Sequence, residues 1–163
     1  MRSAVVLTDD VCLADGADAV QHTVDRVAPA VDDVVVSCRC EQRERIDAAL
    51  SAGGYRLAVD PVPGGGPVAG IRRGCRVARG AATFVTTPDS TVGPELATRL
   101  FEARDGDGAV PRTDGHLRPL SAVYDTGAAV AAADTTLGMG SSAVTDMLDR
   151  LSVRVVTGEQ AAE

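Results

Sequence analysis

The sequence contains no lysine and no tryptophan, and only 2% of its 163 residues are aromatic. Its 16 basic residues are therefore all arginines, and the acidic residues, mostly Asp, leave a formal net charge of −7. Such an acidic chain is poorly suited to non-specific binding of nucleic acid or of an anionic membrane. Abundant Asp without Lys is typical of salt-adapted (halophilic) proteins, whose acidic surfaces maintain hydration, although a GC-rich coding bias gives the same composition.

Long apolar runs and paired cysteines are also missing. The apolar residues 4–7 are too few for a secretory signal, and no stretch reaches the length of a membrane span. The four cysteines form no paired C-x-x-C ligand sets and there are only two histidines, so a structural zinc site is not expected. We expect a cytoplasmic protein whose cysteines are reduced and buried.

What the sequence does contain is a repeated alternation of apolar, β-branched segments with helical ones. Four strands are predicted at residues 3–7, 33–38, 55–59 and 82–87, and helices follow them, ending near Pro29 or spanning residues 41–52, 67–79 and 93–104. Further strands are predicted at residues 109–111, 117–124 and 153–156, with helices at residues 127–137 and 142–151. This order predicts a single α/β domain over residues 1–163, with three layers and a mostly parallel, Rossmann-like sheet.

Acidic residues follow three of the predicted strands. Asp9, Asp60 and Asp89 each lie just past the carboxyl end of a strand. Because ligands of open parallel sheets bind outside the carboxyl ends of the strands, the functional site is expected at that edge.

A glycine-rich loop follows the third predicted strand and leads into a helix. Gly64, Gly65 and Gly66 precede Pro67, a residue that fits the first position of a helix. Glycines before a helix let a ligand approach the bare backbone, and the free N–H groups of the helix attract anions or carbonyl oxygens. A surface turn without a ligand is the alternative.

Three motifs in order resemble one family, the MobA-type nucleotidyltransferases of molybdenum-cofactor synthesis. Gly66-Pro67-Val68-Ala69-Gly70-Ile71 resembles the family's G-P-L-A-G-I loop, and Phe84-Val85-Thr86-Thr87-Pro88-Asp89 resembles the strand that ends in C-D-M-P. Residues 109–124, with Val110-Pro111-Arg112, Asp114-Gly115 and Pro119-Leu120, are similar to V-P-R…D-G…x-P-L-x-A-x-Y. The resemblance implies the nucleotidyltransferase fold and transfer of GMP (or CMP) from the nucleoside triphosphate, with GTP favoured, to molybdopterin with release of pyrophosphate.

The resemblance also implies roles for particular residues. Asp89 would be the catalytic residue and hold the Mg²⁺ that bridges the nucleotide phosphates, while Arg112 and Arg118 would face the molybdopterin substrate. The site for the base and ribose would consist of Asp60, Gly64, Gly65, Gly66, Pro67 and Gly70. For both aspartates the alternative is a turn-forming or helix-capping role.

The segment after the first strand departs from the family's pattern. The family's glycine-rich signature, whose Arg and Lys hold the triphosphate, is replaced by Thr8-Asp9-Asp10, and no basic residue lies between Arg2 and Arg26. The family's late Asn-x-Asn-type metal-binding segment has no counterpart in these residues either. Arg72, Arg76 and Arg79, which share a predicted helix face, either supply the missing charge or form a solvated face.

These departures leave the activity open. They predict weak nucleotide binding without detectable cofactor formation by the isolated chain. One alternative is accordingly a catalytically degraded relative that binds nucleotide or the pterin cofactor, or acts as a partner subunit or homo-oligomer. The other is a nucleotidyltransferase that acts on another phosphorylated acceptor, such as a sugar phosphate.

Overall fold

Strands and helices alternate along the chain, as the hydrophobic pattern predicts. The computed structural model describes residues 1–8, 13–50, 54–60, 66–88 and 94–157. The described strands are β1 (Arg2–Leu7), β2 (Asp33–Arg39), β3 (Arg56–Asp60), β4 (Ala82–Thr86), β5 (Gly108–Thr113), β6 (His116–Leu117), β7 (Ala122–Asp125) and β8 (Val153–Thr157). The described α-helices are α1 (Leu13–Val27), α2 (Arg43–Ala49), α3 (Pro67–Val77), α4 (Pro94–Ala103), α5 (Thr126–Gly138) and α6 (Val144–Leu148).

The central sheet is mostly parallel, which confirms the predicted fold class. Five strands run in the order β3-β2-β1-β4-β7, and of these only β7 is antiparallel to its neighbour. β5 pairs with β8 in parallel and with β6 in antiparallel orientation. Asp125 pairs with Ala82 at the start of β4, and its N–H donates to the carbonyl of Asp107 just before β5 (2.8 Å). β5 therefore runs in the same direction as β4, and both strands end at the same edge.

Helices cover both faces of the sheet, so the expected three layers are present. Alternate residues of β1 face opposite sides, as in any strand. Val6 belongs to the cluster formed with α1, α2 and α4, and Val5 to the cluster formed with α3, α5 and α6. Ile46 and Leu50 lie inward, with exposures of 0% and 2%.

One glycine brings α3 directly onto the central strand. A Cβ on Gly74 would lie 2.4 Å from one methyl carbon of Val5, which is fully buried. Only a residue without a side chain allows helix and strand to approach this closely. The close approach fixes α3 above β1 and carries the first turn of the helix to the carboxyl edge of the sheet.

The opposite edge, at the amino ends of the strands, is held by Asp33. Its carboxylate accepts hydrogen bonds from the Ser3 hydroxyl (2.8 Å), from the Arg56 guanidinium (2.8 Å) and from the Arg79 N–H (2.9 Å). Burial alone would raise the pKa of this carboxyl, but the hydrogen bonds from Arg79, Arg56 and Ser3 together lower it below its usual value. Asp33 thus ties β1, β2, β3 and the segment after α3 together.

The predicted strand over residues 117–124 is wrong, because a turn divides it. β6 ends at Leu117, and the Arg118 N–H donates to the Pro111 carbonyl (2.8 Å) while the Ser121 N–H donates to the Arg118 carbonyl (3.1 Å). Pro119 has no N–H for a ladder, so pairing resumes only at Ala122.

Three predicted helices differ from the structure by two residues or more at one or both ends, and two others by one residue at each end. α2 begins only at Arg43, after a 3-10 turn at residues 40–42. α3 ends at Val77, so Arg79 does not share its face, and α6 is shorter than the predicted residues 142–151.

Candidate functional site

Four parallel strands end side by side at the carboxyl edge. The register pairs Leu7 with Ser37, Arg39 with Asp60, and Val6 with Thr86. Asp60 is the last residue of β3, so its backbone lies at the carboxyl edge of the sheet, where the site is expected. The predicted site residues Gly64, Gly65 and Asp89, together with Asp9 and Asp10, lie outside the described residues.

The first turn of α3 has a conformation that depends on glycine. Gly66, which immediately precedes the helix, has φ 96° and ψ 161°, a combination open essentially only to glycine. Pro67 occupies the first helical position, as predicted, and the Gly70 N–H donates to the Gly66 carbonyl (3.1 Å). Because the first N–H groups of a helix have no intrahelical acceptor, those of Val68 and Ala69 are directed outward from this end. This is the geometry of a helix end that can receive an anion or a carbonyl oxygen.

A buried polar pair lies beneath that turn. The Ser37 hydroxyl, which is fully buried, donates to the Gly70 carbonyl (2.8 Å). The Arg73 guanidinium, 6% exposed, donates from Nη1 to the Ser37 oxygen (3.1 Å). Sequence reasoning missed both residues as parts of the site. The available signal was Ser37 itself, because a polar residue in a buried strand needs a hydrogen-bond partner.

The exit of β1 is fixed by the backbone of β2 and by a side chain of the turn that follows β2. The Thr8 hydroxyl and N–H both donate to the Ser37 carbonyl (2.9 and 3.1 Å). The Gln42 amide, 4% exposed, donates to the Thr8 carbonyl (2.8 Å) and accepts from the Arg39 N–H (3.0 Å). The start of the loop that follows β1, called the first loop below, is therefore held at the same edge as the first turn of α3.

Arg112 and Arg118 lie on the hairpin formed by β5 and β6, at the end of β5. Asp114 and Gly115 form its turn with positive φ values of 51° and 77°. Arg118 Nε donates to the Thr113 hydroxyl (2.7 Å), and both arginine side chains are exposed. Within the described ranges, neither forms an ion pair with a carboxylate.

Tyr124 supports this hairpin from inside the sheet. Its side chain is fully buried and its hydroxyl donates to the Pro119 carbonyl (2.6 Å). Burial raises the pKa of the Tyr124 hydroxyl well above its usual value, so this group remains a hydrogen-bond donor. Burial also raises the pKa of the neighbouring Cys75 thiol to about 12, which makes it an unreactive core residue.

The helix arginines that might have replaced the missing phosphate-binding charge are paired instead. Arg72 and Arg76 both bind the same carboxylate oxygen of Asp134 on α5 (3.4 and 3.0 Å). Arg76 is about half exposed and both arginines neutralise an aspartate, which agrees with a solvated face that balances the excess of Asp.

The described residues contain no group of three His, Cys, Asp or Glu side chains that could hold a metal ion. The predicted magnesium ligand, Asp89, is outside these ranges. None of the helices in the described part of the chain is long and apolar enough to span a membrane.

The sheet order, the glycine-dependent helix end at the carboxyl edge and the arginine hairpin define a nucleotidyltransferase-type α/β protein. The chain belongs to the MobA-like NTP transferase domain family, whose model matches residues 11–161. The family named from the sequence motifs is thereby confirmed.

Two curated relatives carry the name probable molybdenum cofactor guanylyltransferase. The one from Natronomonas pharaonis is 40% identical over 111 residues, which are 67% of this chain and 55% of that protein. The one from Haloferax mediterranei is 30% identical over 147 residues, 89% of this chain and 70% of that protein. The match thus spans little more than half the length of the first relative.

A solved structure of the molybdopterin-guanine dinucleotide biosynthesis protein A from Archaeoglobus fulgidus has the same fold. It superimposes with a TM-score of 0.73, at 20% identity, over 96% of this chain and 83% of that one.

Proposed function

We propose that the chain transfers GMP, or CMP, from the nucleoside triphosphate to molybdopterin and releases pyrophosphate. An oxygen of the terminal phosphate of the pterin attacks the α-phosphorus and forms the new P–O bond. The bond between the α-phosphorus and the bridging oxygen breaks, and pyrophosphate leaves with its electron pair. Membership of the family and the names of two relatives support this reaction.

The observation that carries the proposal is the first turn of α3. Gly66 turns the chain with φ 96°, and Gly70 lies one helical turn later on the helix that rests against β1. Neither residue has a side chain that would keep a nucleotide base or ribose away from the backbone. Gly66, Pro67 and Gly70 are accordingly proposed as the base and ribose site, together with Asp60, Gly64 and Gly65.

A divalent metal, proposed as Mg²⁺, is assigned to Asp89. β4 ends at Thr86, and β4 pairs with β1, so the chain leaves the sheet beside the first loop. Carboxylate oxygen is the ligand type that Mg²⁺ prefers, so the residue type fits. Bound there, the ion would neutralise charge on the nucleotide phosphates.

The acceptor is assigned to the hairpin of β5 and β6. Arg112 and Arg118 are exposed at the carboxyl edge and form no ion pair with a carboxylate of the described residues. Guanidinium groups bind phosphate through two parallel hydrogen bonds, so this pair suits the terminal phosphate of molybdopterin.

The reaction is tested by pyrophosphate release from GTP, CTP, ATP or UTP in the presence of Mg²⁺ and molybdopterin, with mass spectrometry of the product. In contrast to the prediction drawn from the segment after the first strand, the proposal expects release that depends on GTP or CTP, requires the pterin and is lost in Asp89→Ala. Arg112→Gln should raise the KM for the pterin more than that for GTP, whereas Arg76→Gln, on the α5 side of α3, serves as a matched control.

The first loop makes the negative outcome equally informative. Asp9 and Asp10 replace the family's phosphate-binding glycines, and the chain has no Lys. Nucleotide binding without pyrophosphate release would contradict the transferase proposal and favour a chain that only binds nucleotide. Pyrophosphate release with a sugar phosphate but not with the pterin would show that the acceptor is a sugar phosphate instead of molybdopterin.

A further inference from the structure

The guanidinium of Arg73 lies in an unusual place for a charge. Arg73 is 6% exposed and belongs to α3, on the side that faces the sheet. Its neighbours Arg72 and Arg76 contact Asp134 of α5, whereas Arg73 contacts β2 through Ser37. A buried arginine loses its hydration, so a side chain with only a packing role would be favoured as an apolar one.

One contact of Arg73 leads to the first turn of α3. Arg73 Nη1 donates to Ser37 Oγ (3.1 Å), and Ser37 Oγ donates to the Gly70 carbonyl (2.8 Å). The Ser37 hydroxyl has one proton, which goes to Gly70, so a donor such as Arg73 is required to satisfy its oxygen. Arg73 therefore fixes the orientation of the hydroxyl that holds Gly70.

The same residue of β2 also fixes the exit of β1. The Ser37 carbonyl accepts from the N–H and the hydroxyl of Thr8 (3.1 and 2.9 Å). Ser37 is thus joined to both segments that enclose the carboxyl edge, the start of the first loop and the start of α3. A displacement of Ser37 would move one relative to the other.

The guanidinium of Arg73 also lies toward the N-terminal end of α3. Helical side chains tilt toward the N-terminus, and the contacts of Arg73 place its guanidinium alongside Gly70, three residues earlier. The N-terminal end of a helix already carries partial positive charge, so a cation there is unfavourable for the helix itself. The arrangement becomes favourable when an anionic ligand occupies this end.

We propose that Arg73 is a positioning residue that, through Ser37, holds the first turn of α3 in the conformation that binds a nucleoside triphosphate. This inference rests on the proposed function of that turn. Arg73 does not need to touch the nucleotide, because it acts through Ser37 on Gly70.

The test combines nucleotide affinity with local backbone protection. Kd for GTP is measured by calorimetry for the wild type, Arg73→Met, Ser37→Ala and the double variant. Each single substitution should weaken GTP binding about tenfold or more, the range for a lost hydrogen bond to a charged group. Because both residues act through one contact, the Kd for GTP of the double variant should not exceed the higher Kd of the two single variants. Arg76→Met, the same change on the same helix at its α5 contact, should alter Kd less than twofold.

Hydrogen exchange of the ligand-free protein separates positioning from general destabilisation. In Arg73→Met and Ser37→Ala, the amides of residues 70–71, the first that donate within the helix, should exchange faster, while those of residues 74–77 and of β1 stay protected. Faster exchange over the whole helix and sheet would overturn the positioning role, and so would GTP affinity equal to that of the wild type in both variants.

Failure of the proposed function gives a different result. A wild-type chain that binds none of the four nucleoside triphosphates overturns that function and the ligand named here. Exchange at residues 70–71 still decides whether Ser37 and Arg73 hold the turn.

Discussion

Replacing Gly66 by Ala tests the backbone conformation at the start of α3. At φ 96° and ψ 161°, an alanine would be strained by about 1–3 kcal/mol. The added Cβ would lie 3.7 Å from the Ser142 Cβ, an ordinary contact, so the penalty comes from the backbone and not from a clash. Rotation of φ to a negative value would relieve the strain, but it would redirect the chain ahead of Pro67, whose own φ is fixed.

The expected result is a loss of nucleotide affinity in a folded protein. A penalty of about 1–3 kcal/mol corresponds to a Kd for GTP about 5-fold to 150-fold higher if the turn relaxes. If the turn stays strained, the same penalty lowers Tm by roughly 2–4 °C per kcal/mol instead. Calorimetric titration and thermal unfolding of the same preparation measure both effects.

Gly54→Ala provides a matched control. Gly54 also has a positive φ (79°), and among the described residues no atom lies within 4 Å of the added Cβ, but Gly54 precedes β3 at the opposite edge of the sheet. It should lower Tm without changing Kd. If Gly66→Ala binds GTP as tightly as Gly54→Ala does, the base site is not at this turn.

Three further predictions concern stability. Asp33→Asn should lower the free energy of unfolding by about 3 kcal/mol at neutral pH. Because folding lowers the pKa of Asp33, the carboxylate stabilises the fold above about pH 4 and loses this effect below it. The same difference in unfolding free energy between wild type and variant at pH 3 and pH 7 would contradict this. Gly74→Ala should cost about 1–3 kcal/mol by overpacking against Val5, and Val5→Ala in the same chain should recover part of that loss in urea unfolding; additive losses would refute the contact. Finally, Tm should rise from low salt to several molar KCl because salt screens repulsion within a chain of net charge −7; a flat curve would indicate coding bias alone.

The strands were predictable because a parallel sheet is buried on both faces. Residues 33–38 and 82–87 are short, apolar and β-branched, and they became β2 and β4 with bounds changed by one residue. The order of the strands was not predictable in the same way, because it depends on pairings such as Val6 with Val36 and Thr86, distant in sequence. The break after Leu117 depends similarly on the Arg118 and Tyr124 hydrogen bonds, which only the folded hairpin creates.

The candidate site also contains residues that could be predicted from the sequence and residues that could not. Gly66 and Pro67 were predictable because loop glycines and a proline at the first helical position have local conformational causes. Arg73 was not, because the arginines of α3 are equivalent in the sequence. Ser37, 36 residues away, accounts for the inward position of Arg73 beside the outward ones.

The distribution of positive charge limits which groups of the site can bind a polyanion. With no Lys, the described chain can meet a polyanion only with arginine side chains and helix ends. Several of these arginines are already paired with carboxylates, among them Arg56 with Asp33 (2.8 Å), Arg76 with Asp134 (3.0 Å) and Arg39 with Glu41 (3.0 Å).

Two exposed arginines at the carboxyl edge differ from that set. Arg112 and Arg118 have no carboxylate within ion-pairing distance among the described residues, and β5 brings them to the edge where α3 begins. These two guanidinium groups, which pair with no carboxylate of the described residues, contribute positive charge at this edge of an otherwise acidic chain. The first turn of α3 adds its own partial positive charge. The first turn of α3 and this arginine pair are the groups where we propose that the nucleotide and the acceptor meet, although the loop after β1 carries Asp9 and Asp10.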